Sequence, residues 1–272
     1  MIGYTCGAYD ILRAKDLEGL DRRIQLAKSK GSEYFAIGLY EESVCEELGV
    51  GTPLKGTEDR MKIVEQLRGV DFVVRISSLN KQEVEEAIKQ GFTEFQEAKK
   101  AEVEETKKKY DIGYAPGTYD LFHLGHLENL MIAAQQSKRL IVGVKADELV
   151  QEHKGKTPNI NANERAEILR HFRFVDDVYK YYTRDLENAN AWIKSKYGKD
   201  VDAIFLGSDL EADFKDTKGL NIVFTPRTPE MMAKRSTSAY SKVLKLNQEK
   251  GKRYTRDISK LGTISLKQEE RD

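Results

Sequence analysis

A short motif recurs within this chain, and the recurrence constrains the fold more than any other feature. Gly7-Ala8-Tyr9-Asp10 returns as Gly117-Thr118-Tyr119-Asp120, and residues 11–18 run parallel to 121–128. Farther on, Arg60-Met61-Lys62-Ile63-Val64 pairs with Arg165-Ala166-Glu167-Ile168-Leu169. Leu67-Arg68-Gly69-Val70-Asp71 then pairs with Phe172-Arg173-Phe174-Val175-Asp176. The offset is about 110 residues at the first motif and about 105 at the later ones, so one small length change separates the copies. The shared order and spacing read as a duplicated domain.

Within each copy, strand and helix signals alternate. The runs 34–39 and 139–144 are short and apolar, which suits buried parallel strands. Helical spacing follows at 58–68 and 163–173, and further strands are expected at 70–74 and 175–179. The second copy adds strand candidates at 201–207 and 221–224. This alternation predicts an α/β layer fold with parallel sheets. The expected division is a first domain at 1–92, a Glu- and Lys-rich helical linker at 93–110, a second domain at 111–247 and a polar tail at 248–272.

Charge balance excludes one class of function. Lys and Arg number 45, Asp and Glu also 45, so nothing favours a nucleic-acid binder led by bulk positive charge. No apolar run is long enough for a membrane span, and the N-terminus lacks the pattern of a signal peptide. Cys6 and Cys45 are too few for a disulfide framework or a cysteine-rich zinc site, so the expected home is the cytoplasm and no metal site is expected. A homodimer stays open.

All four histidines lie in the second half, two of them in His123-Leu124-Gly125-His126. A pair three apart shares one helix face. The tetrad falls at an expected strand-to-helix turn, where backbone amides and the positive helix end suit a phosphate. Gly125 removes a side chain where a ligand could approach the backbone. His153-Lys154-Gly155-Lys156 is a charged loop, which by itself reads as a solvated surface.

The run Gly117-Thr118-Tyr119-Asp120-Leu121-Phe122-His123-Leu124-Gly125-His126 resembles the signature of the HxGH nucleotidyltransferase superfamily. It is most similar to the cytidylyltransferase branch, in particular glycerol-3-phosphate cytidylyltransferases. Choline-phosphate and ethanolamine-phosphate cytidylyltransferases are relatives, and the last have two tandem copies. The resemblance implies two tandem Rossmann-like nucleotidyltransferase domains, the first degenerate. It also implies the reaction of CTP, accompanied by Mg²⁺, with a small alcohol phosphate to give a CDP-alcohol and pyrophosphate by direct in-line attack.

The resemblance assigns roles residue by residue. His123, His126, Lys154 and Arg227 become catalytic. Nucleotide binding falls to Gly117, Thr118, Tyr119, Asp120, Gly125 and Lys156. Arg165, Arg173 and Asp176 match family positions near the substrate, although capping is an alternative role for Asp120 and Asp176. Leu206-Gly207-Ser208-Asp209 resembles a family segment whose acidic residue lies near the cytosine amino group. Asp209 could equally serve adenine. Thr225-Pro226-Arg227-Thr228 resembles the family's Pro-Arg-Thr, and Ser236 and Thr237 can cap a helix and hold a phosphate. Residues 229–235 interrupt the family pattern between them. Adenylyl transfer to FMN or phosphopantetheine, and nucleotide sensing without turnover, remain alternatives.

The first copy has Arg13, Ala14, Lys15 and Asp16 at the tetrad and Gly49 and Gly51 opposite the two lysines, while Asp10, Arg60, Arg68 and Asp71 persist. This pattern predicts a catalytically silent copy.

Overall fold

The computed structural model describes residues 1–100, 107–183, 186–214, 221–226, 237–249 and 264–266. The chain forms two compact units, Met1–Glu104 with Lys242–Asp272, and Glu105–Ser241. Each is an α/β layer built on a sheet with parallel strands. Among the described residues, no helix is long and apolar enough to cross a membrane.

In the first unit, β1 (Ile2–Gly7) and β2 (Tyr34–Tyr40) are buried along nearly their whole length, as strands covered on both faces must be. They pair in parallel, and β3 (Phe72–Ile76) extends the sheet beyond β2. Helix α1 (Ala14–Ser29) buries Leu17, Leu20, Ile24 and Ala27, one stripe at helical spacing. Two short helices, α2 (Glu42–Glu47) and α3 (Thr57–Val64), connect β2 to β3.

The Glu- and Lys-rich stretch 82–109, expected to be helical and to join the halves, is helical from its start, and that helix belongs to this unit. Helix α4 (Lys81–Lys100) packs on β3 through an aromatic cluster. Phe92 lies 5.1 Å from the Tyr34 ring, and Phe95 stacks on Phe72 at 5.4 Å. Gly91 permits the approach, because a Cβ there would fall 2.1 Å from the Val74 side chain. The segment expected as a polar tail supplies β9 (Ile264–Leu266), which pairs antiparallel with β1 and covers that sheet edge.

The second unit carries β4 (Tyr110–Gly117), β5 (Ser137–Lys145), β6 (Asp177–Tyr181), β7 (Ala203–Gly207) and β8 (Ile222–Thr225). All pair in parallel, in the order β6-β5-β4-β7-β8. This is the doubly wound order, whose connections diverge between β4 and β7. Its helices are α5 (Leu124–Gln136), α6 (Asp147–Lys154), α7 (Ala162–Arg170) and α8 (Leu186–Tyr197), and it includes the first turn of α9 (Thr237–Glu249).

The Val-Asp pairs begin no strand. Asp71 N–H donates to Phe35 O at 2.8 Å, and its carboxylate accepts from Phe35 N–H at 2.7 Å. Asp176 does the same with Leu140, at 3.0 and 2.7 Å. Each aspartate clamps the neighbouring strand, and the strand proper starts one residue later.

Candidate active site

The site lies at the carboxyl ends of β4 and β7, where ligands bind in doubly wound sheets. After Gly117 the backbone turns sharply, with Tyr119 at φ 55° and Leu121 at φ 46°, both in the left-handed region. That turn folds the Tyr119 ring back over the strand end, where its hydroxyl donates to Ala115 O at 3.0 Å. Gly117 is required there, since a Cβ would meet the Tyr119 ring at 2.7 Å. Asp120 fastens the turn to the loop before α7. Its carboxylate accepts from Asn159 N–H at 2.9 Å, Asn159 Nδ2 at 2.8 Å and Ile160 N–H at 3.0 Å.

Helix α5 starts immediately beyond, with His123 in the N-cap position and no side-chain cap. His123 and His126 are buried, at 5% and 9% exposure. Their rings stack with centroids 3.7 Å apart and 23° between planes. The Tyr119 ring meets His126 edge-on at 5.2 Å, and Tyr240 covers His123 at 5.7 Å. Thr237 Oγ1, in the first turn of α9, donates to Asp120 O at 2.9 Å and stands 3.5 Å from His123 Nε2. Two imidazoles and the amides of a helix start thus converge, a donor set suited to phosphate oxygens, with the Thr237 hydroxyl beside them and donating to Asp120 O.

Gly125 is in the first turn of α5. Lys154 ends α6 beside the left-handed Gly155, and Lys154 and Lys156 are both exposed on that loop. Asp209 stands in a tight turn directly after β7, next to β4 in the sheet. Arg227, Thr228, Ser236 and the interruption at 229–235 lie outside the described residues.

Three expected substrate contacts are not brought to the histidine pair as expected. Arg165 is fully buried. Its Nε donates to Ile160 O at 2.8 Å, Nη1 to Thr118 O, and Nη2 to Lys145 O at 2.8 Å and to Asp147 at 2.5 Å. It therefore holds the β4 turn to β5 and α6. Asp176 is committed to Leu140, at the other end of the sheet. The register sets Val144 beside Gly117 and Ile141 beside Asp177, so Asp176 is level with Leu140, about 13 Å down the strands from the turn. Arg173 precedes Asp176 in that same distal segment.

The same bonds recur in the first unit at the sequence offset. Arg60 is fully buried and donates to Lys55 O at 2.9 Å, Ala8 O at 2.7 Å and Tyr40 O at 2.8 Å. The Asp10 carboxylate accepts from Leu54 N–H at 2.7 Å and Lys55 N–H at 3.0 Å. Asp10 and Asp120, Arg60 and Arg165, and Asp71 and Asp176 thus make matching bonds that brace each unit. Sequence reasoning missed Asp147, whose counterpart Glu42 approaches Arg60 at 3.6 Å. An acidic residue at the same place in both copies was the available signal. It also missed Asn159 and Tyr240, for which the sequence carries none.

Fold and site together define a doubly wound α/β domain with a histidine pair at its switch point. Residues 114–250, half of the chain, match the cytidylyltransferase-like family model. The chain belongs to that family, within the HxGH nucleotidyltransferase superfamily. It is 37% identical over 112 residues to an FAD synthase of Pyrococcus horikoshii, covering 39% of this chain and 72% of that protein. An FAD synthase of Pyrococcus abyssi is 45% identical over 62 residues, 23% of this chain and 42% of that one. Human choline-phosphate cytidylyltransferase A is 46% identical over 69 residues, 25% of this chain and 18% of that protein.

Proposed function

We propose that the second unit transfers a nucleotidyl group from CTP to a small alcohol phosphate in the cytoplasm, with glycerol 3-phosphate the first choice of acceptor. An oxygen of the acceptor phosphate attacks the α-phosphorus. The bond from that phosphorus to the bridging oxygen breaks, and pyrophosphate departs. Such transfer needs positioning and donors aimed at growing oxyanion charge, rather than a covalent intermediate. The stacked pair of His123 and His126 at the start of α5 is the observation that carries this reading. In it the imidazoles donate to the α-phosphate and leaving-group oxygens, the α5 amides hold a phosphate, with Thr237 turning its hydroxyl from Asp120 O to join them, and Lys154 and Lys156 gather pyrophosphate. Asp209, beside the end of β4, accepts from the exocyclic amine of the base.

Mg²⁺ enters with the nucleotide as part of the substrate. Mg²⁺ bridges nucleotide phosphates with few protein ligands. The first unit is read as a duplicated copy without turnover, supported by its intact Arg60 and Asp10 scaffold and by Arg13 and Asp16 at the histidine positions. A second reading, adenylyl transfer to FMN, is favoured by the match over 72% of the P. horikoshii FAD synthase.

The test is pyrophosphate release from each of CTP, ATP, GTP and UTP against glycerol 3-phosphate, choline phosphate, ethanolamine phosphate and FMN. The expected result is turnover with CTP and an alcohol phosphate, abolished by EDTA and restored by Mg²⁺. Turnover with ATP and FMN alone would replace it with the second reading. Nucleotide binding without pyrophosphate release from any pair would leave a sensor.

A further inference from the structure

Helix α5 buries six side chains, Leu124, His126, Leu127, Asn129, Leu130 and Ala133. Asn129 is the one polar member besides His126, one turn below it on the same side of the helix. A buried amide costs free energy unless it is paired, and packing alone would favour an apolar residue there. Its partner is Thr225, at the carboxyl end of β8 and 1% exposed. The Thr225 hydroxyl bonds to Asn129 Oδ1 and also reaches Leu206 O at 3.1 Å.

Three segments therefore meet at one hydroxyl. The first is the helix that carries His126. The second is the end of β7, three residues before Asp209. The third is the end of β8, which leads into Pro226-Arg227-Thr228. In the first unit the residue at the Asn129 offset is Gly19, and the neighbour of β1 on that side of the sheet is the antiparallel β9. Among the described residues, the amide thus accompanies strands, β7 and β8, that only the second unit has.

We propose that Asn129 and Thr225 are positioning residues that fix the register between the phosphate end of the site, on α5, and the base end, on the segment after β7. This rests on the nucleotidyl-transfer reading. Misplacement on the order of 1 Å costs up to about 100-fold in rate, so a looser register should blur which base is accepted.

The readout is the ratio of kcat/KM for CTP over ATP, or ATP over CTP if ATP is preferred. A variant that merely folds less well scales both nucleotides equally and leaves this ratio unchanged. Asn129→Leu and Thr225→Val each remove the bond while keeping similar volume, whereas Thr225→Ser keeps the hydroxyl. The expected result is a fall of about tenfold in the ratio for the first two, and a ratio within about twofold of wild type for Thr225→Ser. If Asn129→Leu does not fold, Thr225→Val carries the test. An active protein whose ratio is unchanged in both, or whose wild type does not discriminate, overturns this proposal and leaves the function standing. If the wild type binds nucleotides without turnover, the ratio of CTP and ATP dissociation constants by calorimetry serves the same purpose. A protein that neither binds nor turns over either nucleotide overturns both readings.

Discussion

Replacing Arg165 with methionine should unfold the second unit's site from below rather than weaken substrate binding directly. The guanidinium is fully buried and makes four hydrogen bonds, three of them to main-chain oxygens. Methionine fills similar volume but strands Ile160 O, Thr118 O and Lys145 O beneath the turn. A hydrogen bond to a charged group contributes about 1.5–3 kcal/mol. The losses do not add fully, because the partners share one network. The Asp147 carboxylate is 29% exposed and can recover water. The net cost is therefore about 4 kcal/mol, within the range for breaking a buried pair. At about 3 °C per kcal/mol, the melting temperature falls by about 12 °C. Arg60→Met should cost a similar amount, since its carbonyl partners are the equivalent ones. Calorimetry gives the size of each loss, and hydrogen exchange read by mass spectrometry gives its place. Arg165→Met should raise exchange in β4 and β5, and Arg60→Met in β1 and β2. A melting temperature within 2 °C of wild type for Arg165→Met, together with a raised KM for the acceptor, would refute the scaffold assignment and return Arg165 to the substrate.

Three further outcomes are expected. His126→Ala should lower kcat by about 10²–10³, the usual cost of one transition-state donor, while Asp16→Ala at the corresponding first-unit position stays within about threefold; equal losses in two folded variants would mean that the first unit takes part in turnover. Burial pushes the Cys6 thiol up to about 12 and raises Cys45 as well. Both should therefore resist a thiol reagent in the native protein at about pH 8 and react after denaturation, and rapid native labelling would contradict this packing. Burial also lowers the pKa of Lys55 from 10.5, although the Asp10 carboxylate opposes the shift. The folded chain then releases this proton at lower pH than the unfolded chain. The cost of the buried ammonium is thus full below the folded pKa and disappears as pH rises toward 10.5. The melting temperature of wild type should gain on that of Lys55→Met as pH rises from about 8 to about 10, and parallel curves would show that Lys55 is not buried as a cation.

The sequence by itself determined the repeat, the α/β alternation and the location of the histidine pair. These are local properties. Short apolar runs such as 34–39 and 139–144 become parallel strands wherever both faces are covered, as in β2 and β5. His123 and His126 share a helix face because three residues separate them. Tertiary structure alone decided which matched residues belong to the site. Arg165 and Arg60 recur in the same order after the shared motif that leads into the tetrad, and so do Asp176 and Asp71, so spacing could not separate a catalytic position from a brace. The difference lies in partners 36 to 52 residues away, such as Leu140 for Asp176 and Ala8 for Arg60. The pairing of Ile264–Leu266 with β1, the docking of α4 on β3 and the meeting of Asn129 with Thr225 across 96 residues have the same origin. Each depends on edges, cavities and carbonyls that exist only once the sheets have formed, and no periodicity along the chain encodes them.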